Sequence, residues 1–392
     1  MRLILGICCS LMCGGLANAQ AENIDKDVSP LKLSAAIAHN DAINPLITND
    51  TDAVGFIINA EGALVTIQES TWWQFDYGAE YEQFRLQEEQ FDFDDNQDFY
   101  SYNLRVMSRT FVHEAFTVDV HAGHEQDQQR YGEGITRFQD DVLSVDTLTT
   151  NQASALLVYG REPSRNSVSL RLSWQEDEYD DINDYASLFN LSQVGAEVET
   201  RYAISGTTQL LARVLVREDD YGAPERTDSE LLRGLIGVEW AISGKSSAQL
   251  LIGGFKRDSE DGSDDSGFSW DLRYQHKPND LSVLTLFSRR VSNVSEVEFA
   301  SDSVDVIYGF DWQYVYNDLW FWGVRMNWLD KSLESELLER EITQFDFNAS
   351  LGFNLTSYQS IHLDLMRRDV SSSDDFIDYT QNEVGLRWLY EY

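Results

Sequence analysis

The period-2 alternation of apolar and polar residues constrains the fold of this chain more than any other feature. It recurs in segments of about ten residues, a length and pattern typical of membrane β-strands. In the last segment the apolar set alternates with Gly385, Arg387, Leu389 and Glu391, and it consists of Val384, Leu386, Trp388, Tyr390 and Tyr392. Successive side chains of a strand point to opposite faces, so each segment has one apolar and one polar face. Residues 304–314 and 345–353 show the same pattern, with Ile307 as the one exception.

Residues 1–19 have the features of a secretory signal peptide. Arg2 is followed by a short apolar run, and Ala17-Asn18-Ala19 forms a small-x-small cleavage site. We therefore expect a signal peptide at 1–19, a short periplasmic segment at 20–29 and one barrel domain at 30–392. All three cysteines lie before residue 14, so the mature chain has no thiol. After the signal, the sequence contains no apolar run of the length that a membrane-spanning helix needs, about 18 residues.

The chain is strongly acidic, with a formal net charge of −38. Nucleic-acid binding needs a basic surface, so this charge excludes it. High net charge also favours disorder, but the aromatic content of 12% indicates a folded chain.

The connections between the alternating segments are short and long in turn. Residues 243–246 and 277–280 are short connections, whereas the acidic stretches 218–230 and 258–267 are long ones. The whole pattern predicts about 18 strands, with 16–18 plausible, joined by eight short turns and nine long loops. An even strand number with short periplasmic turns and long external loops is typical of bacterial outer-membrane barrels. The fold class is therefore all-β: a single transmembrane antiparallel up-and-down β-barrel in the outer membrane.

A soluble β-sandwich or propeller also has many short strands, but it would hide its large aromatics between sheets. Here Trp and Tyr cluster at the short turns, where they suit a membrane interface. This predicted girdle contains Trp72, Trp73, Trp320, Trp322, Tyr358 and Tyr392.

The polar faces of the strands predict the residues that line the barrel interior. The arginines of this set are Arg105, Arg171, Arg213, Arg217, Arg233, Arg273, Arg325, Arg368 and Arg387. The acidic members are Asp271, Asp311, Asp346, Asp364 and Glu391. Two interpretations stay open: a ladder of arginines that attracts an anionic solute, or ion pairs that only solvate a water-filled lumen.

No motif points to an enzyme, a cofactor or a metal. His121 and His124 have opposite parity, so they cannot share a metal ion. Ser360 and His362 share a face, but nothing marks them as part of a triad. The acidic loops, such as that with Asp258 and Asp265, lack the EF-hand spacing and are expected to be solvated.

The chain resembles the β-barrel porins associated with exopolysaccharide and capsule synthesis in Gram-negative bacteria. The similarity lies in the opening strand at 31–44 with its Asp41-x-x-Asn44 element, and in the hairpins at 243–250 and 277–284. The resemblance implies passive passage through the outer membrane, with exopolysaccharide export as the leading hypothesis. The alternatives are a general diffusion porin and a closed structural or adhesive barrel that acts through its acidic external loops.

The resemblance to outer-membrane barrels also implies partners. These are outer-membrane lipid and lipopolysaccharide, the barrel-assembly machinery and polysaccharide export components. The outward aromatics of the last strand match the terminal assembly signal of such barrels, and they are Trp388, Tyr390 and Tyr392.

Overall fold

The structure is a computed structural model that describes most of the chain after residue 28. The described residues are 29–43, 52–86, 96–131, 134–135, 145–160, 166–180, 185–224, 226–260, 264–295, 302–334, 339–373 and 378–392. The predicted signal peptide lies outside them.

Eighteen strands form one sheet. They are β1 (Lys32–Asn40), β2 (Ala53–Gln68), β3 (Thr71–Leu86), β4 (Asn96–His113), β5 (Phe116–Gln128), β6 (Thr147–Tyr159), β7 (Asn166–Tyr179), β8 (Leu191–Ala203), β9 (Thr208–Tyr221), β10 (Ser229–Ser243), β11 (Ser246–Ser259), β12 (Asp265–Asn279), β13 (Ser282–Val294), β14 (Asp302–Val315), β15 (Trp320–Glu334), β16 (Glu339–Asn354), β17 (Gln359–Ser372) and β18 (Tyr379–Glu391). A 3₁₀ helix, Ala186–Phe189, precedes β8. In the described part of the chain, no helix has the length and apolar character to cross a membrane.

The sheet closes on itself. Each strand pairs antiparallel with its neighbours in the sequence, and β1 pairs with both β2 and β18. The closing seam runs in register from Lys32 opposite Glu391 to Asn40 opposite Glu383. A closed barrel leaves no edge strand with unpaired backbone groups. The predicted all-β barrel of 18 strands is therefore confirmed.

Short turns follow the even-numbered strands and longer connections follow the odd-numbered ones. This order agrees with the short and long connections predicted from the sequence. The strands nevertheless extend further into the long connections than expected. The predicted loop at 218–230 shrinks to 222–228, because Glu218 and Glu230 pair across β9 and β10. Backbone pairing needs no lipid, so an antiparallel ladder continues into water as long as the two strands stay in register.

A band of exposed apolar side chains surrounds the barrel. Ile236 is 66% exposed, Leu386 57% and Val214 48%, although all three lie in strand interiors. On β10 the band runs from Leu232 to Trp240, and tilted strands of this length span roughly 19–22 Å, close to the ~25 Å apolar band of outer-membrane barrels. The protein thus crosses the outer membrane with all of its strands.

Aromatic side chains mark both borders of this band. Those near the short turns are Trp73, Tyr159, Tyr202, Trp240, Trp320, Tyr358 and Tyr392, and those near the long loops are Tyr81, Tyr100, Trp174, Phe268 and Trp328. The prediction was wrong for Trp72, which pairs with Ile67 and Arg109 on the opposite face from Trp73 and therefore points inward. Two adjacent residues of one strand cannot both face the lipid.

The backbones of β10 and β11 approach each other closely at two glycines. A Cβ atom on Gly237 would lie 1.8 Å from the backbone oxygen of Leu250, and one on Gly253 would lie 1.9 Å from that of Gly234. Glycines that allow such close backbone approach are the usual means of turning a corner in a barrel wall.

We expect Gly237→Ala to destabilise the folded barrel by about 1–3 kcal/mol, because the neighbouring backbone must move. The matched control is Gly234→Ala on the same strand, since a Cβ there meets nothing within 4 Å. After heating, the fraction of each variant that still migrates fast in electrophoresis, as folded barrels do, measures the difference in stability between the two variants. Equal heat resistance of the two variants would contradict the role of Gly237.

Candidate functional site

Strand alternation places a polar surface inside the barrel. All nine predicted arginines stand at interior register positions; Arg325, for example, lies between the lipid-facing Val324 and Met326. The same register places Asp271, Asp311, Asp346, Asp364 and Glu391 inside. Their surroundings, however, divide them into two sectors.

The sector of β8–β12 is packed with side chains. Leu211, Leu235 and Leu251 form a cluster of buried residues on the interior face, with at most 2% of each exposed. In a barrel of 18 strands, wall side chains that border a wide water-filled lumen remain accessible to water. Burial of this degree shows that these interior side chains cover one another.

Four of the predicted arginines lie in or beside this packed sector. Arg213 donates to Glu199 over 2.7 Å and lies 3.7 Å from Asp271. Arg233 donates to the hydroxyl of Ser269 over 2.8 Å. Arg217 and Arg171 complete this group, and Arg217 binds Asp219, which is fully buried. Arg213, Arg217 and Arg233 therefore hold the packed side chains together and present little charge to water.

Arg257 is an interior residue that the sequence analysis missed. It is fully buried near the long-loop end of β11, where it donates to Asp219, Ser229 and Ser292. The acidic residues that follow it suggested a loop. The signal that could have identified Arg257 was the alternation of residues: Phe255 and Arg257 share the inward face of the strand, and Lys256 lies between them on the outward face.

A cavity of about 320 Å³ lies on the other side of the interior, between β1–β5 and β14–β18. Its cations are Lys32, Arg130, Arg325, Arg368 and Arg387. Its carboxylates are Glu61, Glu80, Glu82, Asp127, Asp311, Asp346, Asp364, Glu383 and Glu391. Counted as formal charges, nine carboxylates against five cations give this cavity an excess of four negative charges. This polar cavity thus lies off the barrel axis, on the side away from the packed sector, and it is acidic.

The wall of β14–β18 carries three arginine–aspartate pairs. Arg325 binds Asp311 over 3.0 Å, and Arg368 binds Asp346 over 2.9 Å. Arg387 binds Asp364 over 2.9 Å. Each of these guanidinium groups is neutralised by an aspartate of the adjacent strand.

The excess acid lies on the wall formed by β2, β3, β5 and β18. Lys32 lies 3.7 Å from Glu61 and 3.9 Å from Glu391, so two carboxylates share one ammonium group. Glu80 accepts a hydrogen bond from the amide of Asn59 over 3.0 Å. Among the described residues, no cation lies at ion-pair distance from Glu80. The sequence analysis missed Glu80 and Glu82, although their alternation with Tyr81 placed them inside.

The two remaining predicted arginines lie outside both walls. Arg105 on β4 is 3.5 Å from Glu125 of β5. Arg273 on β12 has an exposed side chain, and within the described ranges it has no ion-pair partner. Of the nine predicted arginines, Arg273 alone is exposed without an ion-pair partner among the described residues, so the interpretation as an arginine ladder is not supported.

Ser360 and His362 form a hydrogen-bonded pair, with 2.8 Å between Oγ and Nε2. Both residues are buried, and the ring of Phe321 lies edge-on to His362 at 5.2 Å between centroids. Asp364, the nearest carboxylate on this face, is bound through both oxygens by Arg387. The pair lacks the orienting carboxylate and the access to substrate that nucleophilic catalysis requires.

Metal ligands do not converge in the part of the chain that the structure describes: it contains no group of three or more His, Cys, Asp or Glu side chains able to hold an ion. Within the acidic stretch at 258–267, residues 261–263 lie outside the described residues.

Several solved outer-membrane barrels have similar structures. The siderophore receptor PirA from Acinetobacter baumannii has a TM-score of 0.47 and 7% identity, over 94% of this chain and 81% of that one. OpdK from Pseudomonas aeruginosa, solved with vanillate, has a TM-score of 0.47 and 12% identity, over 93% and 99%. Acinetobacter baumannii OccAB2 has a TM-score of 0.45 and 9% identity, over 93% and 98%. Likenesses at this level carry no argument about a substrate.

No protein-family model matches the chain, and no curated protein does. The assignment as a membrane barrel therefore rests on its own strand pairing and exposed apolar band.

The two sectors of the interior predict different access to water-soluble reagents. We expect a cysteine at Ser350, which lines the cavity, to react quickly with a charged methanethiosulfonate. A cysteine at Leu235, which is 2% exposed in the packed sector, should react at least about tenfold more slowly, because opening is needed for access. Reaction rates on the folded barrel in detergent measure the ratio. Equal rates would show that the interior is evenly open.

Proposed function

We propose that this protein is a passive outer-membrane channel for small hydrophilic solutes, with a preference for cations and neutral molecules over anions. The observation that carries the proposal is the off-axis cavity with its four excess carboxylates. Fixed charges of one sign in a narrow, low-dielectric passage concentrate ions of the opposite sign. The arginines of the cavity do not reverse this sign, because Asp311, Asp346 and Asp364 already pair with them.

The size of the cavity supports solutes rather than bulky ligands. A volume of about 320 Å³ is at the lower end of the range for pockets that enclose a small molecule. Passage needs no covalent step, and the chemistry of the Ser360–His362 pair supports none. No cofactor is part of the proposal.

Exopolysaccharide export is the second candidate. Hydroxyl and amide groups, which can bind sugar hydroxyls, also line the cavity, among them Ser34, Asn59, Asn348 and Ser350. The excess carboxylates would repel an acidic polymer, so this candidate is restricted to a neutral one. Export would also require contact with polysaccharide export components at the periplasmic end.

The last strand supports a proposal about assembly. Trp388, Tyr390 and Tyr392 project outward from β18, the strand that closes the barrel on β1. The backbone N–H of Tyr392 donates to Leu31, and its carbonyl accepts a bond from the Ser29 hydroxyl over 2.6 Å. We propose that the barrel-assembly machinery recognises this aromatic face before the seam closes.

Recording from planar bilayers tests the channel. The purified protein should give steady ohmic conductance, and in a KCl gradient the reversal potential should show K⁺ permeating faster than Cl⁻. The absence of conductance at every voltage would overturn the proposal and would favour the alternative of a closed surface barrel. Faster passage of Cl⁻ would refute the acidic-lumen argument.

Glu80→Gln should lower the ratio of K⁺ to Cl⁻ permeability by roughly 1.5- to 3-fold at low salt, because Glu80 faces no cation in the described structure. The matched control is Glu218→Gln, which makes the same chemical change on the exposed outer face of β9. The control should leave the ratio unchanged. If both variants behave alike, the cavity is not the ion path.

Tyr392→Ala should reduce the amount of folded barrel in the outer membrane several-fold while leaving the backbone bonds of the seam in place. Leu389→Ala, on the inward face of the same strand, is the control and should have less effect. Quantifying heat-modifiable protein in outer-membrane fractions compares them. Normal assembly of Tyr392→Ala would show that the barrel-assembly machinery does not need this aromatic side chain for recognition.

A further inference from the structure

Arg130 connects two separate parts of the barrel wall at the external end of the cavity. It follows β5, the strand that leads into the third external loop. Its Nε donates to Glu82 of β3 over 2.6 Å, and its Nη2 binds the other oxygen of Glu82. Its Nη1 donates to Glu383 of β18 over 3.1 Å. Because β1 and β2 lie between β18 and β3, one guanidinium spans the interior across two intervening strands.

The neighbours of Arg130 hold it at this position. Its guanidinium lies 5.3 Å from the centre of the Phe84 ring, a cation–π distance. Tyr131 is 2% exposed, donates to Gln97 over 3.2 Å and packs edge-on against Phe99. Since Phe84, Gln97 and Phe99 are interior residues of β3 and β4, the start of the third loop lies inside the barrel.

Glu383 has a second partner that completes the connection. The amide of Asn40, at the external end of β1, donates to the same Oε2 atom over 3.1 Å. Glu82 and Asn40 are buried, so the bonds of this group are protected from water. Charge-assisted bonds of this kind are stronger than neutral ones, and a planar guanidinium can hold two carboxylates at once.

We infer that Arg130 is a specificity-determining residue of the channel, which sets both the width and the charge at the external end of the cavity. This inference rests on the proposed channel function. The side chain occupies space between β3 and β18, and it neutralises charge on two of the nine carboxylates. Its contribution differs from that of Arg325, which pairs with one aspartate on the adjacent strand and, among the described residues, has no ion-pair partner on a more distant strand.

Width and charge can be separated by salt. In 1 M KCl the Debye length is about 3 Å, so conductance reports mainly the open cross-section. At about 0.1 M KCl the charges of the wall act at longer range, so the reversal potential reports selectivity. Four channels are compared in planar bilayers: the wild-type protein, Arg130→Ala, Glu383→Gln and Arg325→Ala.

The connection predicts a different pair of changes for each variant. Arg130→Ala should raise conductance in 1 M KCl by roughly 1.5- to 3-fold and also raise cation preference, since space and two carboxylates are released. Glu383→Gln should raise conductance while lowering cation preference, because it weakens the connection and removes a negative charge. Arg325→Ala, the matched control, should also raise cation preference, but its rise in conductance at high salt should be smaller than that of Arg130→Ala, because Arg325 pairs with one aspartate of the adjacent strand.

Folding is checked by heat-modifiable mobility, because removing one partner of a buried ion pair is destabilising. If Arg130→Ala fails to fold, Glu383→Gln, which leaves the Arg130–Glu82 pair intact, still tests the inference. Unchanged high-salt conductance in Glu383→Gln and in folded Arg130→Ala would overturn it, as would equal responses of Arg130→Ala and Arg325→Ala. Absence of conductance in the wild-type protein would instead overturn the proposed function.

Discussion

The closing seam between β1 and β18 is the constraint on which the rest of the structure depends. A bilayer offers no water to bind an unpaired N–H or C=O group, so a sheet can cross it only as a closed ring. Nine register pairs and the contacts of Ser29 and Tyr392 join the two ends of the chain. Closure fixes which side chains face lipid, because a shift of one residue would reverse every position of a strand.

In a barrel of this size, the interior must also be filled by side chains or by water. Eighteen strands enclose more space than one layer of side chains can fill. Here one side is filled by leucines and by arginines that pair with carboxylates, and the close backbone approaches at Gly237 and Gly253 lie in the wall of the same sector. The opposite side keeps the polar cavity. The described interior is therefore uneven, with a packed sector on one side and a small polar cavity on the other.

Pairing, rather than the number of charged residues, decides the electrostatics of the cavity. The interior contains many arginines, and counting them alone favours an anion path. Most of those at the cavity, however, bind aspartates of adjacent strands at 2.9–3.0 Å. What remains for a solute is the surplus of carboxylates on β2, β3, β5 and β18. Arg130 stands apart, because it is held by two wall segments that are distant in sequence.

The sequence by itself determined the strands, their number and their two faces, because alternation is a local property of each segment. It placed Arg325 and Asp311 inside for the same reason, and it predicted the long and short connections. It could not determine which side chains pair across strands, which sector is packed, or that Arg130 turns inward to meet Glu383. Those features depend on contacts between residues far apart in the chain, and only closure of the barrel brings them together.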